Sequence, residues 1–229
     1  MKRIISLLSI AILILGMVSC DKAQDSDDFS SELNVNHEYV DLGLSVMWAT
    51  TNIGAEKPEN YGKYFAWGET KTKTTYNWST YKYCNGTAQT LTKYNFKSEY
   101  GIVDSIATLE LNDDVAHIRW GGKWRMPTYT ECKELIDSCT CVWTDLNGVN
   151  GYKFTSNIRG YEDRSIFLPA SGHIYGNESF NVGSWAYYPS SSLSGPDMSS
   201  TIHFKEDRER PNIFVGYRYC GFPVRPVCP

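Results

Sequence analysis

One apolar run sets the terms for the rest of this chain. Residues 4–18 are apolar apart from two serines, and Lys2 and Arg3 place positive charge ahead of them. A helix of that length reaches about 22 Å, short of the ~30 Å hydrocarbon layer. The run therefore reads as a secretory signal and not as a permanent membrane span. Whatever follows must fold after export. Of 229 residues, 41% are hydrophobic and 21% charged, enough apolar surface for a real core and too little for a polytopic membrane chain. The net charge of −4 argues against a general nucleic-acid binder.

The run ends in Met17-Val18-Ser19-Cys20, which resembles a bacterial lipobox. That resemblance implies cleavage after Ser19, acylation of the Cys20 thiol and anchoring of the chain in a membrane by its N-terminal lipid. Residues 1–19 are thus expected to be a lipoprotein signal peptide. Residues 20–36 carry Asp21, Asp25, Asp27, Asp28 and Glu32 against Lys22, a stretch that cannot collapse and reads as an acidic flexible tether. It also resembles the acidic export signals of surface lipoproteins in Bacteroides-like bacteria. The expected location is the cell envelope, as an outer-membrane lipoprotein facing outward. Cys84, Cys132, Cys139, Cys141, Cys220 and Cys228 remain, an even number in an exported chain. Disulfides are permitted, their pairing is open, and Cys220 with Cys228 offers a C-terminal staple.

Beyond the tether, short β-rich runs predominate. Residues 37–52 read as strand, turn, strand, and residues 61–69 as an aromatic strand. Residues 70–92 are rich in Thr and Tyr and read as an irregular surface insertion. The clearest helix starts near Thr128: Pro127 precedes it, Glu131 completes a capping box, and Cys132, Leu135 and Ile136 fall on one face. A weaker helix is expected over residues 113–118. Residues 143–154 read as two strands around an Asn-Gly turn, and residues 166–169 as a short apolar strand. In the closing stretch Tyr217, Tyr219 and Val224 are spaced to alternate on a strand. The fold class is α+β, of short strands with one or two helices.

Four segments together resemble one family: YVDLGLSVMWATTNIGAEKPENYGKYFAWGET, WGGKWRMPTYTECKEL, NGVNGYKF with SIFLPASG, and GFPVRPV. They are similar to the Fibrobacter succinogenes major paralogous domain, found in Bacteroidetes lipoproteins. The resemblance implies a C-type-lectin-like domain over residues 37–229, of the branch that includes formylglycine-generating enzymes, with closely spaced termini. Where the family often shows Tyr-Trp-Ser-Ser-Ser, this chain has Tyr187-Tyr188-Pro189-Ser190-Ser191-Ser192. Pro189 lacks a backbone donor, so a strand there must lie at an edge or be broken.

Catalytic and metal signatures are weak. The four histidines show no ligand spacing, and there is no Cys-x-x-Cys, nucleophile elbow, P-loop or dinucleotide fingerprint. Asp145-Leu146-Asn147-Gly148 reads as a hairpin, because Val149 and Ser156 stand where a calcium loop needs oxygen ligands. Pro196-Asp197 is the one fragment like a lectin calcium motif. No metal, cofactor or catalytic residue is expected. Asp104-Ser105-Ile106 resembles an O-glycosylation acceptor, with Ser105 as the candidate site.

One region carries a recognition signal. In residues 171–195, seven Ser, four Gly, three Tyr and two Asn supply 16 of 25 positions, the alphabet that antibody paratopes favour. The expected role is non-catalytic binding of a glycan or protein ligand through Tyr175, Asn177, Phe180, Trp185, Tyr187, Tyr188, Arg208 and Arg210. Two other readings are a structural subunit of a surface or fimbrial assembly, and an oxidase of the formylglycine-generating type using Cys220 or Cys228.

Overall fold

The computed structural model describes residues 36–206 and 208–229. Among the described residues the architecture is α+β: five small antiparallel sheets, two α-helices and short 3-10 turns. The expectations for residues 1–19, for Cys20 and for most of the tether lie outside the described residues. No helix among the described residues is long and apolar enough to cross a membrane.

Strands β1 (Tyr39–Val40) and β2 (Met47–Ala49) pair as a small hairpin, and β13 (Val227–Cys228) joins the free edge of β2. The two ends of the folded region are therefore hydrogen-bonded into one sheet. Arg125 reinforces it by exchanging backbone hydrogen bonds with Val227. The aromatic strand expected over residues 61–69 shrinks to β3 (Tyr64–Phe65), which pairs with β12 (Phe222–Pro223).

The first helix, α1 (Val115–Trp120), begins later than expected, because Asp113 belongs to a preceding 3-10 turn and Asp114 is the N-cap. The Asp114 carboxylate accepts from the Ala116 and His117 amides and, across the loop, from Met126. The second helix, α2 (Tyr129–Ser138), starts where the sequence places it. Thr128 accepts from the Glu131 amide and Glu131 accepts from the Thr128 amide. Cys132, Leu135 and Ile136 are its buried face.

Strands β4 (Cys139–Leu146) and β5 (Val149–Ser156) form the expected hairpin, with β6 (Ser165–Pro169) beside β5. Its turn needs two left-handed residues, and Asn147 and Gly148 have φ of 51° and 82°. A second hairpin is made by β7 (His173–Tyr175) and β8 (Glu178–Phe180). The largest sheet runs β11-β10-β9, from β9 (Trp185–Gly195), β10 (Met198–Lys205) and β11 (Asn212–Tyr217). Pro189 is accommodated because β9 is a terminal strand of that sheet, with a register irregularity opposite Ser199 and Thr201.

Three expectations need correction. Residues 70–92 are not a surface insertion, since Tyr76, Tyr81, Tyr83 and Leu91 are all buried. Two of the tyrosine hydroxyls are satisfied inside: Tyr76 donates to the Tyr64 carbonyl at 2.6 Å and Tyr81 to the Trp67 carbonyl at 2.8 Å. Tyr217, Tyr219 and Val224 do not share a strand, because the chain turns between β11 and β12. The Cys220–Cys228 staple does not form: all six described cysteines are free thiols.

Two buried guanidinium groups tie distant segments together. Arg218 donates to the Tyr81 hydroxyl and to the carbonyls of Tyr94, Pro196 and Lys93, with the Trp67 ring 5.0 Å away. Arg225 donates to Asn52 Oδ1 and to the carbonyls of Ala49, Thr50 and Phe167.

Candidate functional site: an aromatic face over two histidines

The register of β9–β11 sorts their side chains into two sets. Ala186, Tyr188, Ile202, Phe204 and Ile213 point toward one apolar core. Trp185 and Tyr187 of β9, Thr201, His203 and Lys205 of β10, and Asn212, Phe214 and Gly216 of β11 share the opposite face. The β7–β8 hairpin is set beside this face by bridges from Gly172 to Ala186 and from Ile174 to Gly221. Gly172 is required for that approach: its φ is +63° and a Cβ there would sit 2.1 Å from the Phe180 carbonyl oxygen.

The outcome is a continuous ribbon of rings. Trp78 meets Tyr219 at 4.8 Å between centroids, and Tyr219 meets Tyr217 at 5.4 Å and Tyr175 at 5.9 Å. Tyr175 meets Phe180, Phe180 meets His173 at 5.7 Å, and His173 meets Tyr187 at 5.4 Å. Tyr187 then lies on His203, which also touches Trp185 and Phe214. Four of these rings are strongly exposed: Tyr175 by 52%, Phe180 by 38%, Phe214 by 48% and Tyr217 by 45%. Apolar rings held in water by a rigid frame are the usual mark of a contact surface.

Beneath the ribbon lie polar atoms without partners. His203 is 4% exposed; its Nδ1 faces Asn212 Oδ1 at 3.3 Å and its Nε2 has no hydrogen-bond partner. Thr201 Oγ1 and His173 Nδ1 also lack partners. Burial pushes both histidines below their ordinary pKa, which keeps them neutral at pH 7. With the Nδ1 proton directed at Asn212, Nε2 of His203 is left as an acceptor.

The structure brings Tyr175, Phe180, Trp185 and Tyr187 together here, with Asn177 exposed between β7 and β8. Tyr188 must be removed from the set. It is 2% exposed and its hydroxyl donates to the Pro169 carbonyl while accepting from Asn52. Arg208 and Arg210 line a separate concavity with α2. His173, Thr201, His203, Phe214, Tyr217 and Tyr219 were missed. The alternation Thr201, His203, Lys205 against Ile202, Phe204 is a readable signal for part of this set.

Ser105 is exposed on an ordered corner with φ +60°. Asp104 holds that corner, accepting from the amides of Tyr94, Asn95 and Ile106. Burial pushes the Asp104 pKa up, but these donors outweigh it and keep the carboxylate below its ordinary range. No group of three or more metal-ligating side chains occurs among the described residues.

Comparison with family models, curated proteins and solved structures yields no match for this chain.

Proposed function

We propose that this protein is a non-catalytic cell-envelope lipoprotein, acylated at Cys20 and facing outward, that binds a glycan or protein ligand through the aromatic face. The observation that carries the reading is the ribbon of exposed rings backed by buried, unpartnered hydrogen-bonding atoms. Stacking supplies contact area at low entropic cost, which serves a sugar ring or a protein side chain alike. The proposed domain type remains the C-type-lectin-like one of the Fibrobacter paralogous family, on the four quoted segments. Burial raises the Cys220 thiol to about 12 and raises Cys228 as well, so both rest as neutral thiols.

The test uses full-length protein from envelopes. Intact mass should show an acylated N-terminus at Cys20, and a glycan array should give signals that Tyr175→Ala and Phe214→Ala abolish. An array with no glycan or protein binder overturns the binding role; an unacylated chain overturns the anchor.

A second reading, a subunit of a surface assembly, has its own support. Strand β11 ends its sheet, and its outer edge carries Ile213, Phe214, Val215 and Tyr217 with no charge or proline to protect it. Such an edge accepts a strand from another subunit. High-mass cross-linked ladders on cells, lost in Val215→Lys, would favour this reading.

A further inference from the structure

We propose that the cleft between α2 and the start of β11 is a second binding site, for an acidic sugar: a pyranose bearing a carboxylate. Its lining residues are distinct from those of the aromatic face, although the Arg208 charge is also felt by Tyr187 and His203.

The cleft encloses about 480 Å³, within the size range of small-ligand sites. One wall is a single stripe of α2, where Tyr129, Lys133 and Asp137 follow at i, i+4 and i+8. That stripe is about 12 Å long, the length of roughly two sugar rings. Tyr129 is 42% exposed and offers a ring face at one end. The other wall is built by Arg208, Arg210 and the first residues of β11.

The charges in this cleft are unequally occupied. Lys133 pairs with Asp137, one helical turn away. Arg210 donates to the Ile136 carbonyl at 2.8 Å and lies 3.9 Å from Asp137, so it caps the end of α2. Arg208 is different. Among the described residues its guanidinium has no hydrogen-bond or ion-pair partner, although its backbone carbonyl is held by the Tyr152 hydroxyl. Among the described residues this fork is thus uncommitted, and its planar shape matches a carboxylate.

Asp137 narrows the ligand class further. Three cations, Lys133, Arg208 and Arg210, stand here against this one carboxylate, so the cleft favours an anionic ligand. The carboxylate accepts readily from hydroxyl groups. A ligand with one negative group, several hydroxyls and a flat C–H face satisfies Arg208, Asp137 and Tyr129 together.

The test is calorimetry on the full chain with 3′-sialyllactose and digalacturonate, against lactose and digalacturonate dimethyl ester as neutral counterparts. At least one acidic sugar should bind and its counterpart should not. Arg208→Gln should weaken binding by about ten-fold or more, the loss expected for a hydrogen bond to a charged group. Arg208→Lys should fall between, and raised salt should weaken the wild type. Circular dichroism checks that the variants fold. The proposal is overturned if neither acidic sugar binds, if the neutral sugars bind equally, or if Arg208→Gln changes nothing. A Tyr175→Ala variant separates the two sites: it should leave acidic-sugar affinity unchanged. If it abolishes that affinity, the acidic sugar sits on the aromatic face and the cleft proposal fails alone.

Discussion

Tyr187 lies against His203 with ring centroids 4.5 Å apart and planes tilted by 35°. The two residues are register partners on β9 and β10, so the contact is a product of strand pairing and not of loop conformation. It joins the hairpin side of the ribbon, through His173, to the β11 side, through Phe214. It also seals His203 from water, and that has a measurable electrostatic consequence.

Burial lowers the pKa of His173 and of His203 in the folded protein, while the unfolded chain titrates near 6.5. As pH falls below about 6.5, the unfolded state takes up protons that the folded state refuses. Stability should therefore be level above that value and decline on acidification until the folded histidines titrate. Nuclear magnetic resonance titration should place both imidazoles below 6.5. The urea midpoint of His203→Gln should fall less steeply between pH 6.5 and 5.5 than that of the wild type. An equal slope would mean that His203 is not protected.

Tyr175 and Tyr188 should behave oppositely. Tyr175 is exposed and Tyr188 is buried with two hydrogen bonds on its hydroxyl. Tyr175→Ala should leave stability within about 0.5 kcal/mol and remove ligand binding on the aromatic face. Tyr188→Phe should cost about 1–2 kcal/mol and leave that binding intact. Denaturant melts combined with array binding check both halves.

Tyr188 and its neighbour in the chain show what can be read from a sequence. Tyr187 and Tyr188 are adjacent and chemically identical, and only the pairing of β9 with β10 decides which faces solvent. Strand parity is a long-range property, so composition alone placed both on the binding face. Local codes fared better. The Thr128–Glu131 capping box and the Asn147-Gly148 turn are complete within a few residues, and both elements form where expected. The segment around Tyr76, Tyr81 and Tyr83 failed for the converse reason. Its burial depends on carbonyls of Tyr64 and Trp67 and on Arg218, more than a hundred residues away.

The capping box can be tested at two depths. Thr128→Ala removes one cap and should cost about 1 kcal/mol. Glu131→Ala should cost more, because Glu131 also receives both Arg125 nitrogens, at 2.8 and 2.6 Å. Burial raises the Glu131 pKa, but the Arg125 fork and the Thr128 amide outweigh it and hold the carboxylate below its ordinary range. Its contribution is thus complete above about pH 4.3 and is lost as pH falls toward the folded value. The stability gap between wild type and Glu131→Ala should close in that acid window.

Arg225 should be among the most sensitive positions in the chain. Its guanidinium is 1% exposed, and its acceptors are Asn52 Oδ1 and three backbone carbonyls, with no carboxylate among them. Burial lowers its pKa to about 10, still far above neutrality, so a cation remains in the core. Those acceptors come from both sides of the fold: Ala49 on β2, Thr50 and Asn52 just after it, and Phe167 on β6. Replacement by Met removes the charge but leaves the acceptors dry and unpaired, at about 1–3 kcal/mol each before relaxation. Arg225→Met should therefore lose more than about 3 kcal/mol in urea unfolding. Arg225→Lys should lose a similar amount, because an ammonium cannot reach four separated acceptors as the fork does. Full stability in Arg225→Lys would show that charge alone, and not the directed hydrogen bonds, joins β2 to β6.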